Sequence, residues 1–510
     1  MTRPNPLVPG FNPDPSIVRA DDAYYLVTST FEYLPGIPVY RSTDLADWTQ
    51  IGNVATRPEQ LQIGEVPTGL GVWAPTIRFR EGTFYVIVTI PFSPKGCVVY
   101  TATDPAGPWD DGTTIEDVNG IDPDLAWDDD GTAYVTFSGL MLSGPDLGKH
   151  LGVQQVKVDL EAGKALEEPR SLWSGTGLKF PEAPHVYRRG DWWYLVIAEG
   201  GTERGHGVSV ARGRSPEGPF EGHPANPVLS ARSTSRPIQN TGHGDLVDTP
   251  DGGTALVLLG VRPLGGTVAF SPLGRETFLT DVDWVDGWPV PQPVELAPRP
   301  GVEEETLDFT DPAALDDPGW LAVRTRPADV ATLTGGRLTI VGDGSTLADM
   351  HPRWVGRRQR HLTATVAARV DASAGVGGLA ARYDEKHWFA LEAQADGSVT
   401  ARARVAGIAQ DWTVSLPPGE VELRVEMTPP AAGFSAEAMG GDRIRLIANA
   451  GGDDVLLTEL DGRFWSAESC ASFTGRVLGL YATEGTVGFA DFRYTGSESG
   501  EQLRPGEVGH

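Results

Sequence analysis

Glu182 opens the run FPEAPHVYRRGDWWYLVIAEGGT, Phe180 to Thr202, and it stands where a packed strand would take Val or Ile. A short β-prone stretch, a turn at Arg189-Gly190-Asp191 and a second strand, Trp192 to Ile197, follow it. This is a hairpin with a carboxylate at its mouth, a group that is either solvated or placed there for acid–base chemistry. Asp14 in NPDPS, Asp122 in IDPDL and His243 in TGHGDLV precede similar hairpins. Taken singly, each acid is a turn or strand-cap residue.

Their spacing changes that reading. The same hairpin unit recurs at Trp73-Ala74-Pro75, and taking Asp14, Ala74, Asp122, Glu182 and His243 as equivalent puts them 60, 48, 60 and 61 residues apart. Five β-rich repeats of this length predict a five-bladed propeller, with four-stranded blades around a central channel. Equivalent positions then face one axis, so Asp14, Asp122, Glu182 and His243 are expected to meet there.

Composition narrows the rest. The 510 residues exceed one ordinary core, and 63 Gly, 41 Pro and many short strand-like runs read as all-β. A net charge of −28 argues against nucleic acid and anionic membrane as partners. The opening MTRPNPLVPG has no apolar core of a secretory signal, and Cys97 and Cys470 form no framework, so a cytoplasmic protein with free thiols is the expectation.

After the fifth repeat the chain turns proline-rich and acidic (VPQPVELAPRPGVEEE), and the repeat ends. Leu362 to Val370 and Val421 to Met427 alternate as half-buried strands do, which points to a β-sandwich. The expected division is a propeller over 1–295, a linker over 296–304, a β-sandwich over 305–496 and a polar tail over 497–510.

The motifs FNPDPSI, STFEY, WAPTIRF, IDPDL, FPEAPHVY, AEGGT, TGHGDLV and GVRPL, in this order, resemble glycoside hydrolase family 43, most closely its β-xylosidase branch. ARYDEKHWFALE and SFTGRVLGLYATEG resemble the sandwich of that branch. The resemblance implies a general base at Asp14, a general acid at Glu182, and at Asp122 a third carboxylate that orients the acid and tunes its pKa. It also implies a sugar-binding set of Phe31, Trp73, His243 and Arg262, with Phe473 of the SFTG loop walling the leaving-group side. His243 remains open to a core role, Arg262 to an ion pair and Phe473 to sandwich packing. One departure is IDPDL itself, where relatives often carry Ser at the position of Asp124.

The activity implied is exo-acting, inverting release of terminal β-1,4-linked xylose from xylooligosaccharides, with an α-L-arabinofuranosidase as the near rival. A non-catalytic sugar-binding propeller is the rival of another class; it would need the aromatics and Arg262 but not three acids. No cofactor is expected, although a divalent ion such as Ca2+ on the axis, with His243 as a ligand, is compatible with the resemblance. A homo-oligomer stays open. Trp192 and Trp193 read as strand packing rather than sugar platforms, and Asp128-Asp129-Asp130-Gly131 as a hairpin turn.

Overall fold

Tight turns organise the blades. In the computed structural model, which describes residues 3–266, 268–431, 435–470 and 473–498, Glu81-Gly82 (φ 52° and 81°) joins Trp73–Arg80 to Thr83–Ile90. Two successive left-handed residues make the turn whose twist matches a hairpin, and glycine takes the second position without strain.

Five such units each build an antiparallel sheet. Their inner strands are Ser16–Ala20, Trp73–Arg80, Gly120–Trp127, Glu182–Arg189 and Gln239–Asp248, and each neighbours the next around a closed ring. The chain is thus a five-bladed β-propeller followed by a β-sandwich.

Apolar faces between adjacent blades hold the ring. Val27 and Val39 pack with Val86 and Val98; Ile87 and Val99 with Val135 and Val156; Val153 with Val186, Leu195 and Ile197. Val196 and Val208 pack with Leu256 and Phe278, and Leu26 with Val257 and Leu279, which closes blade five onto blade one. A strap of residues 5–12 laces the same seam. Leu7 N donates to Thr277 O (2.9 Å), Asn12 N to Arg275 O (3.0 Å) and Gly10 N to the Glu276 carboxylate (2.9 Å). The strap delivers Asp14 to the channel beside Arg275.

The second unit is built on the long strand Thr363–Arg382, which pairs with Val477–Phe489, His387–Gln394 and Val421–Thr428. Val421, Leu423, Val425 and Met427 are buried and the residues between them only partly so, the expected alternation. Strand formation begins at Val302, inside the span 296–304 expected as a linker, because Val302–Asp308 pairs with Asp491–Ser497. Its acidic side chains have a counter-charge: Glu303 and Glu305 both reach Arg360 at 2.7 Å. Two segments also change sides. Residues 318–329 belong to the first unit and 264–273, inside the sequence of blade five, to the second. The tail expected over 497–510 lies outside the described residues apart from Ser497 and Glu498.

Candidate active site

A recurring backbone device sets the channel residues. In blades two to five the inner hairpin slips register, at Trp73/Thr76, Ile121/Asp124, Glu182/His185 and Gln239/Gly242/Gly244. Each slip holds a non-glycine residue at a left-handed φ: Ala74 (43°), Asp122 (53°), Ala183 (51°) and His243 (51°), with Asn240 (56°) as a second in blade five and Asp14 (57°) just ahead of the first blade's inner strand. Bulges re-aim side chains and concentrate beside active sites, and strain of this kind persists where function needs it. The repeat therefore aligns Ala183, not Glu182, with the other four positions. Spacing alone cannot separate the two, since a bulge carries two residues where the ladder has one.

The three acids have different surroundings. Asp14 is buried; its Oδ2 accepts from Ser29 Oγ (2.6 Å) and its Oδ1 from an Arg275 terminal nitrogen (2.9 Å). Burial alone would raise its pKa, but Arg275 foremost and then other neighbours outweigh burial and hold the carboxyl below the usual aspartate range. Asp122 Oδ2 accepts from the backbone N–H of Ala183 (3.0 Å), so it grips the corner that carries Glu182. Burial, and then the charge of Asp14, raise Asp122 to about 7. Glu182 is pushed well above the ordinary glutamate range by burial first, then by Asp122 and Asp14. The cluster thus holds one ionised carboxylate and a coupled pair that retains a proton near neutrality.

Of the other expected residues, His243 lies with Nδ1 3.6 Å from Asp14 Oδ1, and burial lowers it to about 3, so it is neutral. Phe31 is buried, with the Arg275 guanidinium 5.8 Å from its ring centre. Trp73, partly exposed, donates Nε1–H to Gly69 O (3.1 Å).

Arg262 is placed differently from the expectation. It forks onto Glu276 at 2.7 and 2.9 Å, the ion-pair alternative, while Arg275 reaches Asp14 and also donates to Thr202 Oγ1 (3.1 Å). Arg275 lies in the bend just ahead of the strand that Glu276 begins, and the two adjacent residues serve different partners, Asp14 and Arg262. Sequence reading missed Arg275, Ser29 and Thr202. The signal for Arg275 was available in GRET, an arginine just ahead of a blade-five strand.

Asp124, the unexpected carboxylate, is fully buried and balanced: Arg78 bridges it (2.5 Å) and Asp245 (2.9 Å), and Val186 N donates to it (2.8 Å). Arg214 and Arg212 lie over the Trp192 ring (3.5 and 4.4 Å from its centre), which agrees with packing rather than sugar binding. Phe473 belongs to the second unit and is 36% exposed, so it is not sandwich core; Ser472 beside it lies outside the described residues.

An axial divalent ion does not fit the groups present. The Asp14 oxygen nearest His243 already accepts from the Arg275 guanidinium, which would face such a cation. Among the described residues no three His, Cys, Asp or Glu side chains are grouped to hold a metal.

Asp122→Asn tests the tuning. Asparagine keeps an acceptor for the Ala183 N–H and removes one negative charge beside Glu182. The Glu182 pKa then falls, and the alkaline limb of kcat/KM moves to lower pH by about one unit. A limb that stays in place would remove Asp122 from the tuning role.

Comparison with known proteins agrees with this geometry. Residues 3–289 match the family model described as glycosyl hydrolases family 43, and residues 307–496 match that of the beta xylosidase C-terminal concanavalin A-like domain. The chain is 37% identical to a non-reducing end α-L-arabinofuranosidase of Bacteroides ovatus, over 94% of this chain and 91% of the relative. It is 31% identical to a xylosidase/arabinosidase of Humicola insolens over 96% of both. Among solved structures, a xylan β-1,4-xylosidase from Bacillus halodurans superposes with a TM-score of 0.85 at 26% identity, covering 97% of this chain and all of that one.

Proposed function

The chain belongs to glycosyl hydrolase family 43 and is a glycosidase, and on that premise we propose that it removes terminal β-1,4-linked xylose from xylooligosaccharides, exo-acting and with inversion. What carries this is that the surroundings push the carboxyl of Asp14 below its ordinary range and that of Glu182 well above it, with Asp122 gripping the corner that carries Glu182. Glu182 gives its proton to the leaving oxygen as the glycosidic bond breaks. Asp14 takes a proton from a water that attacks the anomeric carbon on the opposite face. The new C–O bond thus forms as the old one leaves, and the anomeric configuration inverts. Asp14 and Glu182 come from blades one and four, with blade five between them, which suits the gap of about 6.5–9.5 Å that such a water needs. The family's reaction needs no cofactor.

A second reading, release of terminal α-L-arabinofuranose, is favoured by the name of the Bacteroides ovatus relative. Side-by-side kinetics on 4-nitrophenyl β-D-xylopyranoside and 4-nitrophenyl α-L-arabinofuranoside decide between them. A higher kcat/KM on the xyloside supports the first reading and the reverse order the second. No release from either sinks both.

A further inference from the structure

His206 is a buried histidine, 1% exposed, with no part in the proton transfers of Asp14 and Glu182. It ends the loop that starts at Gly200 and stands just ahead of the blade-four strand Gly207–Gly213. The loop closes tightly on itself. His206 N donates to Glu203 O (2.9 Å), and a Cβ on Gly200 would come 2.1 Å from Gly205 O. Thr202, whose hydroxyl accepts from Arg275, lies within it. Ser230 Oγ donates to His206 O (2.7 Å), so the backbone of His206 is held from two sides.

The ring reaches across to blade five. Its Nδ1 lies 2.9 Å from Asn240 O, and a carbonyl only accepts, so Nδ1 carries the proton. Burial lowers the His206 pKa to about 4, so the ring is neutral, and this bond fixes its tautomer. Asn240 takes a left-handed φ (56°), and His243, three residues on, takes another (51°). Between them Gly242 lies under the ring: a Cβ there would come 2.4, 2.4 and 2.6 Å from three ring atoms. The ladder to Thr254–Val261 slips on both sides of Gly242, so regular pairing does not fix the shape of this bulge. The bond to Asn240 and the ring against Gly242 do.

The bulge ends on His243, whose Nδ1 is 3.6 Å from Asp14 Oδ1. Burial raises the Asp14 carboxyl, and of the neighbours that outweigh it Arg275 lowers it most and His243 next. We propose that His206 is a positioning residue for the general base: its ring and its Nδ1–H hold Asn240–His243 in the bulged form that sets His243 beside Asp14. This rests on the reading of Asp14 as the base. The charged and titratable groups acting on Asp14 from the surrounding blades are Arg275, His243, His206, Asp122 and Glu182. Those acting on His206 are Arg275, Asp14, Glu203 and His243. Of all these, His243 alone is carried by the bulge.

The test is the pH dependence of kcat/KM for the full-length protein, on whichever of the two 4-nitrophenyl glycosides it cleaves faster. The acid limb reports the base and the alkaline limb the acid. His206→Phe keeps a ring over Gly242 and loses the donor. Asn240 O is then unpaired, the bulge relaxes and His243 withdraws, so the Asp14 pKa rises. The acid limb should move to higher pH by about half a unit and kcat should fall about tenfold, with the alkaline limb in place. His206→Asn, whose amide nitrogen can take the place of Nδ1, should bring the acid limb back to the wild-type position. Gly242 is not left-handed, so Gly242→Ala crowds the ring without backbone strain. It should reproduce the limb shift with His206 present, and it stands in if the phenylalanine variant does not fold. A merely structural role would lower the melting temperature of these variants and leave both limbs where they are. An acid limb unmoved in both the His206→Phe and the Gly242→Ala proteins overturns the proposal. Failure of the underlying reading shows separately, as wild-type kcat in Asp14→Asn.

Discussion

Asp14→Asn is expected to keep the fold and to cut kcat on terminal pentosides by about 10²–10⁴-fold, the size of a general-base contribution. The side chain stays polar and of the same shape, so Ser29 Oγ keeps an acceptor in place of Asp14 Oδ2. What is lost is the charge that draws a proton from water. The arginine bonded to Asp14 then sits beside a neutral amide, and a small external anion such as azide or formate can enter and restore part of the rate. A variant with wild-type kcat, folded by circular dichroism, would show that the base lies elsewhere.

Glu182→Gln has the second largest effect, and its size depends on the leaving group. Glutamine holds no proton to donate, so xylobiose, whose leaving alkoxide is a strong base, should lose about 10²–10⁴-fold. A 2,4-dinitrophenyl glycoside leaves as a weakly basic anion and needs little protonation, so its loss should be far smaller. The contrast follows from the environment of Glu182: burial and two neighbouring carboxylates keep it protonated. Equal losses on both substrates would be inconsistent with an acid at this position.

The parts of this site legible in the sequence are those with a local signature. NPDPS, IDPDL and PEAPH each carry an acid at the start of an inner strand, and the hairpin repeat shows that those strands share an axis. Features that depend on distant pairing were not legible. Glu182 stands one residue ahead of the position equivalent to Ala74 and Asp122, which is Ala183, and the repeat length does not show this because each bulge carries an extra residue. Arg262 and Arg275 both precede or follow blade-five strands, and only the fork from Arg262 to Glu276 shows which of them remains for Asp14. The strap of residues 5–12 carries no local signal of its partner, a strand some 270 residues away. Residues 264–273 read as part of blade five and belong to the second unit, where Ser271 is held by Glu468 (2.7 Å) and Pro272 O accepts from Tyr383 (2.6 Å). Composition carries none of these partners.

The division of labour between Asp14 and Glu182 has one direct stereochemical consequence. Proton NMR of the first sugar released from a β-linked xyloside, recorded before mutarotation, should show α-xylose, because water activated by Asp14 attacks opposite to the departing oxygen. β-Xylose as the first product would mean a covalent intermediate and would contradict the account.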